Sequence, residues 1–487
     1  MIAMRRRKAP PLALAAAMLI TTGCSLTPEY VRPDLSIPSH WDSLLSVHGA
    51  IPPKNESNEA ATPLNSDEKE FLREFDPGSE LVNLVASALR HNPDIQIAAL
   101  RVEEARASYR VQNAEGLPAI NLGVQQTRQQ FNDSNLNERY GQNLATSGVG
   151  FSGYELDFFG RLRSLTESAR HGYLATRYAQ EAGRVALIVE TGRLYVNCLA
   201  ATDLEETLHG LFDDEQSLLA ISERQRQIGV IAEEDLRSQR TAAEQARLRW
   251  QRSRSDYAQS VHALQLVTGY ATDDSPLPGK LAALTPGSAT SENRFANRSS
   301  DVLIHRPDVM QAEEKLRAAN ADIGAARAAF FPSIQLSSSI GIASPSLHGL
   351  FSSGTGTWLF SPQVSLPIFS GGSNQANLDL SHIRKNIAVF EYEKTVQNAF
   401  REVADTLTAR EQVVDQIAAE SRILESEQRK LALATKHFDA GWIDKNSLLA
   451  AKILCGEESL RRIEAQRVLA INWLYLYRAF YGVRVTS

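Results

Sequence analysis

Two spacings alternate along this chain. Over short stretches apolar residues recur every second position. Ile120, Leu122 and Val124 alternate with Asn121, Gly123 and Gln125, and Ile334, Leu336, Ile340 and Ile342 alternate with Gln335, Ser337, Ser339 and Gly341. The clearest run sets Trp358, Phe360, Val364, Leu366 and Ile368 against Thr357, Ser361, Gln363 and Ser365. Period two with one apolar and one small polar face predicts strands of the membrane type, apolar side to lipid. Elsewhere the spacing is seven: Leu204, Leu211 and Leu218, then Ile417, Leu424, Leu431 and Phe438. Heptads predict long helices coiling on neighbours. Neither Gly nor Pro interrupts residues 373–440, enough helix for a rod of roughly 100 Å.

The pattern occurs twice. Asn92-Pro93-Asp94 is echoed by Arg306-Pro307-Asp308, and each proline is followed after 25 residues by another, Pro118 and Pro332. Gly229-Val230-Ile231 lies before Leu236 as Gly441-Trp442-Ile443 lies before Leu448. The period of about 210 residues is that of a duplicated domain and not of a solenoid. Proline suits a first helical turn and the following aspartate suits the helix dipole, so each Pro-Asp pair starts a helix. Each copy therefore reads as helix, strand, loop, strand and long helical hairpin, with tips at Gly229 and Gly441. The predicted strands are 118–128, 146–158, 332–343 and 357–369. The first copy spans 76–270 and the second 301–487, joined by a Pro/Ser/Thr-rich linker at 271–300. Residues 24–75, dense in proline, read as an N-terminal tether.

Four strands cannot close a barrel, and open edges are not tolerated in lipid. A membrane reading therefore demands more than one copy of the chain. No stretch beyond the N-terminus is apolar for the length a membrane helix needs. Residues 1–23 read as an export signal, with Arg5–Lys8 ahead of an apolar run from Ala9 to Ile20. Thr21-Thr22-Gly23-Cys24 resembles a bacterial lipoprotein box, with Thr21 where leucine is usual, and marks Cys24 for lipidation. Two or more acyl chains anchor a protein stably. Ser25 after that cysteine is compatible with outer-membrane sorting. Loss of the leader takes the net charge from −6 to −10, which argues against a nucleic-acid partner. Cys198 and Cys455 stand at different places in the repeat and read as buried small residues. No metal-ligand spacing, cofactor loop or nucleophile motif is present, and the ten histidines are scattered, so the chain does not read as an enzyme.

The residues that carry a family likeness are Cys24–Pro33, Arg306–Val309 with Glu313 and Leu316, Phe331-Pro332, Leu366–Gly372, Phe400–Asp405 and the two tip glycines. On these the chain resembles the TolC-like outer-membrane efflux proteins, in their NodT/OprM-like lipoprotein branch. The resemblance implies an α+β membrane protein. In it a homotrimer builds one 12-stranded outer-membrane β-barrel, continuous with a long periplasmic α-helical barrel. It implies a passive exit duct for drugs or other small toxic solutes, served by a periplasmic adaptor and an inner-membrane pump, with no cofactor. It also implies a resting pinch at the hairpin tips, partly made by acids. By position these are Glu233, Glu234 and Asp235 at the first tip, and Asp439 and Asp444 at the second. Gly229, Leu236, Gly441 and Leu448 are the candidates for adaptor contact or tip geometry. The rival readings are a lipid-anchored periplasmic adaptor and a coiled-coil scaffold. An adaptor would carry one helical hairpin, not two each preceded by strands.

Overall fold

A computed structural model describes residues 27, 28, 30–32, 64–140, 142–269, 279–286 and 300–480. The chain divides into two units, 1–54 and 55–487. Of the first, the described residues are exposed and without regular structure. The signal segment and Cys24 lie outside the described residues.

The elements of the second unit run α1 (Ser66–Phe75), α2 (Glu80–His91), α3 (Pro93–Ala114), β1 (Asn121–Gln129), α4 (Ser134–Tyr140), β2 (Gln142–Leu156), α5 (Arg161–Gln227) and α6 (Glu233–Thr268). They continue with α7 (Pro307–Ala328), β3 (Ser333–Ser344), β4 (Gly356–Ser365), α8 (Ser373–Asp439) and α9 (Lys445–Phe480). The duplication is visible in the lengths. Helices α3 and α7 each hold 22 residues, α5 and α8 each 67, and α6 and α9 each 36. The four strands form one antiparallel sheet in the order β1-β2-β3-β4. The two copies meet at the β2–β3 ladder, where Val149 faces Ile340 and Gly148 faces Gly341. Among the described residues, strands β1 and β4 are the edges of the sheet.

Helix α5 is the spine. It packs against α3, α6, α7 and α9, whereas α8 packs against α7 and α9. The heptad leucine Leu211 is buried on α5, as Leu424 is on α8. The core gathers Phe71, Leu72 and Phe75 of α1, Leu81, Leu84, Val85 and Leu89 of α2, the stretch of α5 from Ile188 to Ala200, and Trp473 and Leu474 of α9. The Phe71 ring stacks on Tyr477 with centroids 4.0 Å apart. Arg184 of α5 donates to both oxygens of Glu68, at 2.9 and 2.7 Å, and Glu68 also accepts from the Asn65 N–H. Cys198 and Cys455 are buried and unpaired.

Four sequence-based boundaries change. The segment 24–75 ends in a core helix, because Phe71, Leu72 and Phe75 recur on one face and bury it. Each such side chain stabilises by about 1.5–3 kcal/mol when fully buried. Within the 271–300 linker, residues 279–286 join the same core: Leu281 and Leu284 are buried, and the Thr285 N–H donates to the Phe75 carbonyl at 3.0 Å. The rest of that linker, apart from Ser300, lies outside the described residues. Strand β4 stops at Ser365 instead of 369, opposite Ser333, where its partner β3 begins. Strand β2 starts at 142 and the first loop between strands holds α4, whose first turn is capped by Asp133 accepting from Asn135 and Leu136.

Candidate functional site at the hairpin tips

Both hairpins turn by the same local chemistry. At the end of α5 the Gly229 N–H donates to the Arg226 carbonyl at 3.1 Å and the Val230 N–H to Gln225 at 2.8 Å. At the end of α8 the Gly441 N–H donates to Phe438 at 2.9 Å and the Trp442 N–H to His437 at 2.8 Å. This pair of bonds needs a left-handed residue, and Gly229 (φ +77°) and Gly441 (φ +76°) supply it. A buried leucine then seats each returning helix: Leu236 on α6 and Leu448 on α9.

The acids divide by what the chain already uses them for. Asp235 accepts from the Ala232 N–H at 3.2 Å, and Asp444 from the Ser447 N–H at 3.0 Å and hydroxyl at 2.6 Å. Both are helix caps. The two Ser447 bonds hold the Asp444 carboxyl below its ordinary range. Glu233 is bound by Arg226 at 3.2 Å and faces Arg237 at 3.5 Å, and these guanidiniums lower its pKa, Arg226 chiefly. Glu234 and Asp439 are exposed, and among the described residues neither is drawn into an ion pair with its own chain.

Sequence reasoning missed the apolar side of the tips. Ile228 and Val230 flank Gly229 in the open, and Trp442 beside Gly441 is 77% exposed, its ring against His437 with centroids 5.2 Å apart. The signal was an apolar residue directly after a turn glycine, a place where a solvent-facing loop carries polar groups. Above the tips the two hairpins are cross-linked. Arg249 of α6 holds Glu457 of α9 by two bonds at 2.6 and 3.1 Å, and Lys452 of α9 lies 3.8 Å from Asp214 of α5. Among the described residues no cluster of side chains is arranged to hold a metal ion.

The profile of the family described as "Outer membrane efflux protein" matches residues 84–270 and 299–480, one segment in each copy. This chain belongs to the outer membrane efflux protein family. It is 36% identical over 443 residues to the probable efflux pump outer membrane protein TtgC of Pseudomonas putida, covering 89% of this chain and 87% of that one. It is 36% identical over 479 residues to the cation efflux system protein CusC of Escherichia coli, covering 97% and 98%. Among solved structures, the open state of the Neisseria gonorrhoeae MtrE outer membrane channel superposes with a TM-score of 0.73 at 29% identity, covering 94% of this chain and 98% of that one. The family places the molecule in the outer membrane, with its sheet in the barrel and its long helices in the periplasm. It is an efflux channel protein and not an enzyme.

Proposed function

We propose that three copies of this chain close into the exit duct of a tripartite efflux system. A periplasmic adaptor docks on the hairpin tips, and an inner-membrane pump delivers drugs or other small toxic solutes. The observation that carries this reading is a pair of unfilled sides on one chain. Leu380, Ile383, Ile387 and Phe390 of α8 recur at spacings of three and four and stand 41–68% exposed, an unoccupied coiled-coil seam. On the other flank, Ile97, Leu100 and Val111 of α3 stand in the open. Strand edges β4 and β1 lie unpaired as the outer members of the sheet. One side made of α8 and β4 and another of α3 and β1 fit a head-to-tail contact that closes as a ring. Three copies then give a 12-stranded barrel, well above the smallest barrels of about eight strands.

In this reading Cys24 carries the acyl anchor, and Glu234 and Asp439 are the acids that narrow the entrance. Exposed Ile228, Val230 and Trp442 offer the adaptor an apolar footing. The domain limits at 76–270 and 301–487 remain the units of the duplication. Native mass spectrometry of the detergent-extracted protein tests the whole: a trimer carrying lipid mass on Cys24 is expected, and an unlipidated soluble monomer overturns it.

A further inference from the structure

The sheet has two faces of opposite chemistry, and the ladder registers say which residues share each. Leu122, Val149, Ile340 and Trp358 form one in-register row, with Phe151, Leu336, Phe360 and Val364 on the same face. On the other face Gly123, Gly148 and Gly341 lie in one row, opposite Thr357 on β4. The row beside it is Asn121, Gly150, Ser339 and Leu359, and nearer the helices come Ser337 with Ser361, then Glu155, Gln335 and Gln363.

Sterics show which way the sheet curls. A Cβ at Gly148 would stand 2.8 Å from the Ile340 carbonyl oxygen, one at Gly341 would stand 2.5 Å from the Gly148 Cα, and one at Gly150 would stand 2.7 Å from the Ser339 Cα. Strands β2 and β3 therefore lean together on the glycine side, which makes that side concave at their ladder. The convex side is the apolar one. Curvature and polarity, two independent observations, assign the same face to the inside of the barrel. Along the inner positions of the described strands one charged side chain occurs, Glu155, and Arg161 binds it by two bonds at 2.8 and 2.7 Å.

We propose that the glycine-bearing face is an electrically neutral bore, with the Gly123–Gly148–Gly341 row as its widest ring and the Glu155–Arg161 pair as its one charge, cancelled in place. The barrel then passes solutes of either sign, and any charge preference of the duct arises in the helices below. Gly123 is the position from which to probe it: a Cβ there meets nothing within 4 Å, so a side chain added at 123 enters the bore without displacing a neighbour. The inference rests on the closed-barrel reading above.

The test is thiol labelling of the full-length protein in intact outer membranes, from outside, with small membrane-impermeant cationic and anionic methanethiosulfonates. The unsubstituted chain, whose Cys198 and Cys455 are buried, sets the background. Gly123→Cys is expected to react and its neighbour Val124→Cys, on the lipid face, is not. The two reagents should modify Gly123→Cys at rates within about threefold of each other, against the tenfold or more that a charge-lined cleft imposes. In Ser337→Cys, adding Arg161→Gln should uncover Glu155 and shift the ratio toward the cationic reagent, and Glu155→Gln on top should restore it. Labelling of Val124→Cys alone, labelling of neither, or a tenfold preference for one sign overturns the neutral bore. Labelling of both positions sinks the closed barrel itself.

Discussion

The two copies differ in what covers them. Helices α5 and α8 have the same length and the same place in the repeat, yet α5 buries most of the stretch from Ile188 to Ala201 while α8 buries Ala388, Ala399, Val413 and Leu424. Helices α1 and α2 lie across α5 of the first copy, and α1 also stacks Phe71 on Tyr477 of α9, whereas α8 packs against α7 and α9. The same asymmetry shows before each proline. Asn92 donates to the Val267 carbonyl at the end of α6, at 3.4 Å, and Arg306 donates to the Ala479 carbonyl at the end of α9, at 3.1 Å. Arg306 then also grips Asp308 and Glu402, each at 2.7 Å, and Arg478 reaches Glu402 from α9 at 3.1 Å. Where α5 is buried under an apolar layer, α8 is tied by ions through Glu402 to Arg306 and Arg478 and keeps a bare apolar seam.

The largest expected effect breaks this contrast at the seam. Phe390→Asp or Ile387→Lys puts charge on a surface that α8 reserves for a neighbour, and trimers should be lost by native mass spectrometry. The corresponding exchange on an already exposed polar position of α8, Glu391→Lys, should leave them intact. Next, Arg184→Ala removes the guanidinium that pairs with the buried Glu68 carboxylate of the first copy. Loss of one partner of a buried pair costs about 3–5 kcal/mol, read from denaturant unfolding. If the two copies were held alike, Arg478→Ala, whose side chain is half exposed, would cost as much; it should cost about 1 kcal/mol or less.

At the tips the copies should respond alike. Gly229→Ala and Gly441→Ala each force a side chain into left-handed backbone, at about 1–2 kcal/mol. Faster amide exchange is expected around the substituted tip only. The smallest effect is a pH dependence at the Arg306 cluster of the second copy that the matching Asn92 contact of the first lacks. Burial pushes the Asp308 carboxyl up, but the Arg306 guanidinium more than offsets it and leaves the pKa lowered. A lowered carboxyl pKa stabilises above its unfolded value, about 4, and that stabilisation is lost as pH falls through the folded value. Amide exchange near Ala479 should therefore rise in acid, while exchange near Val267, held by Asn92, stays level.

Much of the architecture was legible in the residues. The period-two runs, the heptads and the paired landmarks located four strands and two hairpins, and the glycine turns fell at Gly229 and Gly441. The amphipathic set Leu81, Leu84, Val85, Ala88 and Leu89 is the set that α2 buries. Helix α1 escaped notice because proline dominates the composition around it, and ten residues carry too short a period to stand out. The acids at the tips could be placed by position but not sorted. Asp235, Asp444 and Glu234 are alike in sequence, and only the bonds of the folded tip separate caps from free carboxylates.

The chain by itself determined the duplication, the element types and the need for more than one copy. These follow from local periodicity and from backbone groups that must be paired in lipid. The tertiary structure decided which face of the sheet is concave, which seam of α8 stays bare, and that Glu68 and Arg184 meet across 116 residues. Such facts depend on how distant elements approach one another, and no spacing within a single element records that.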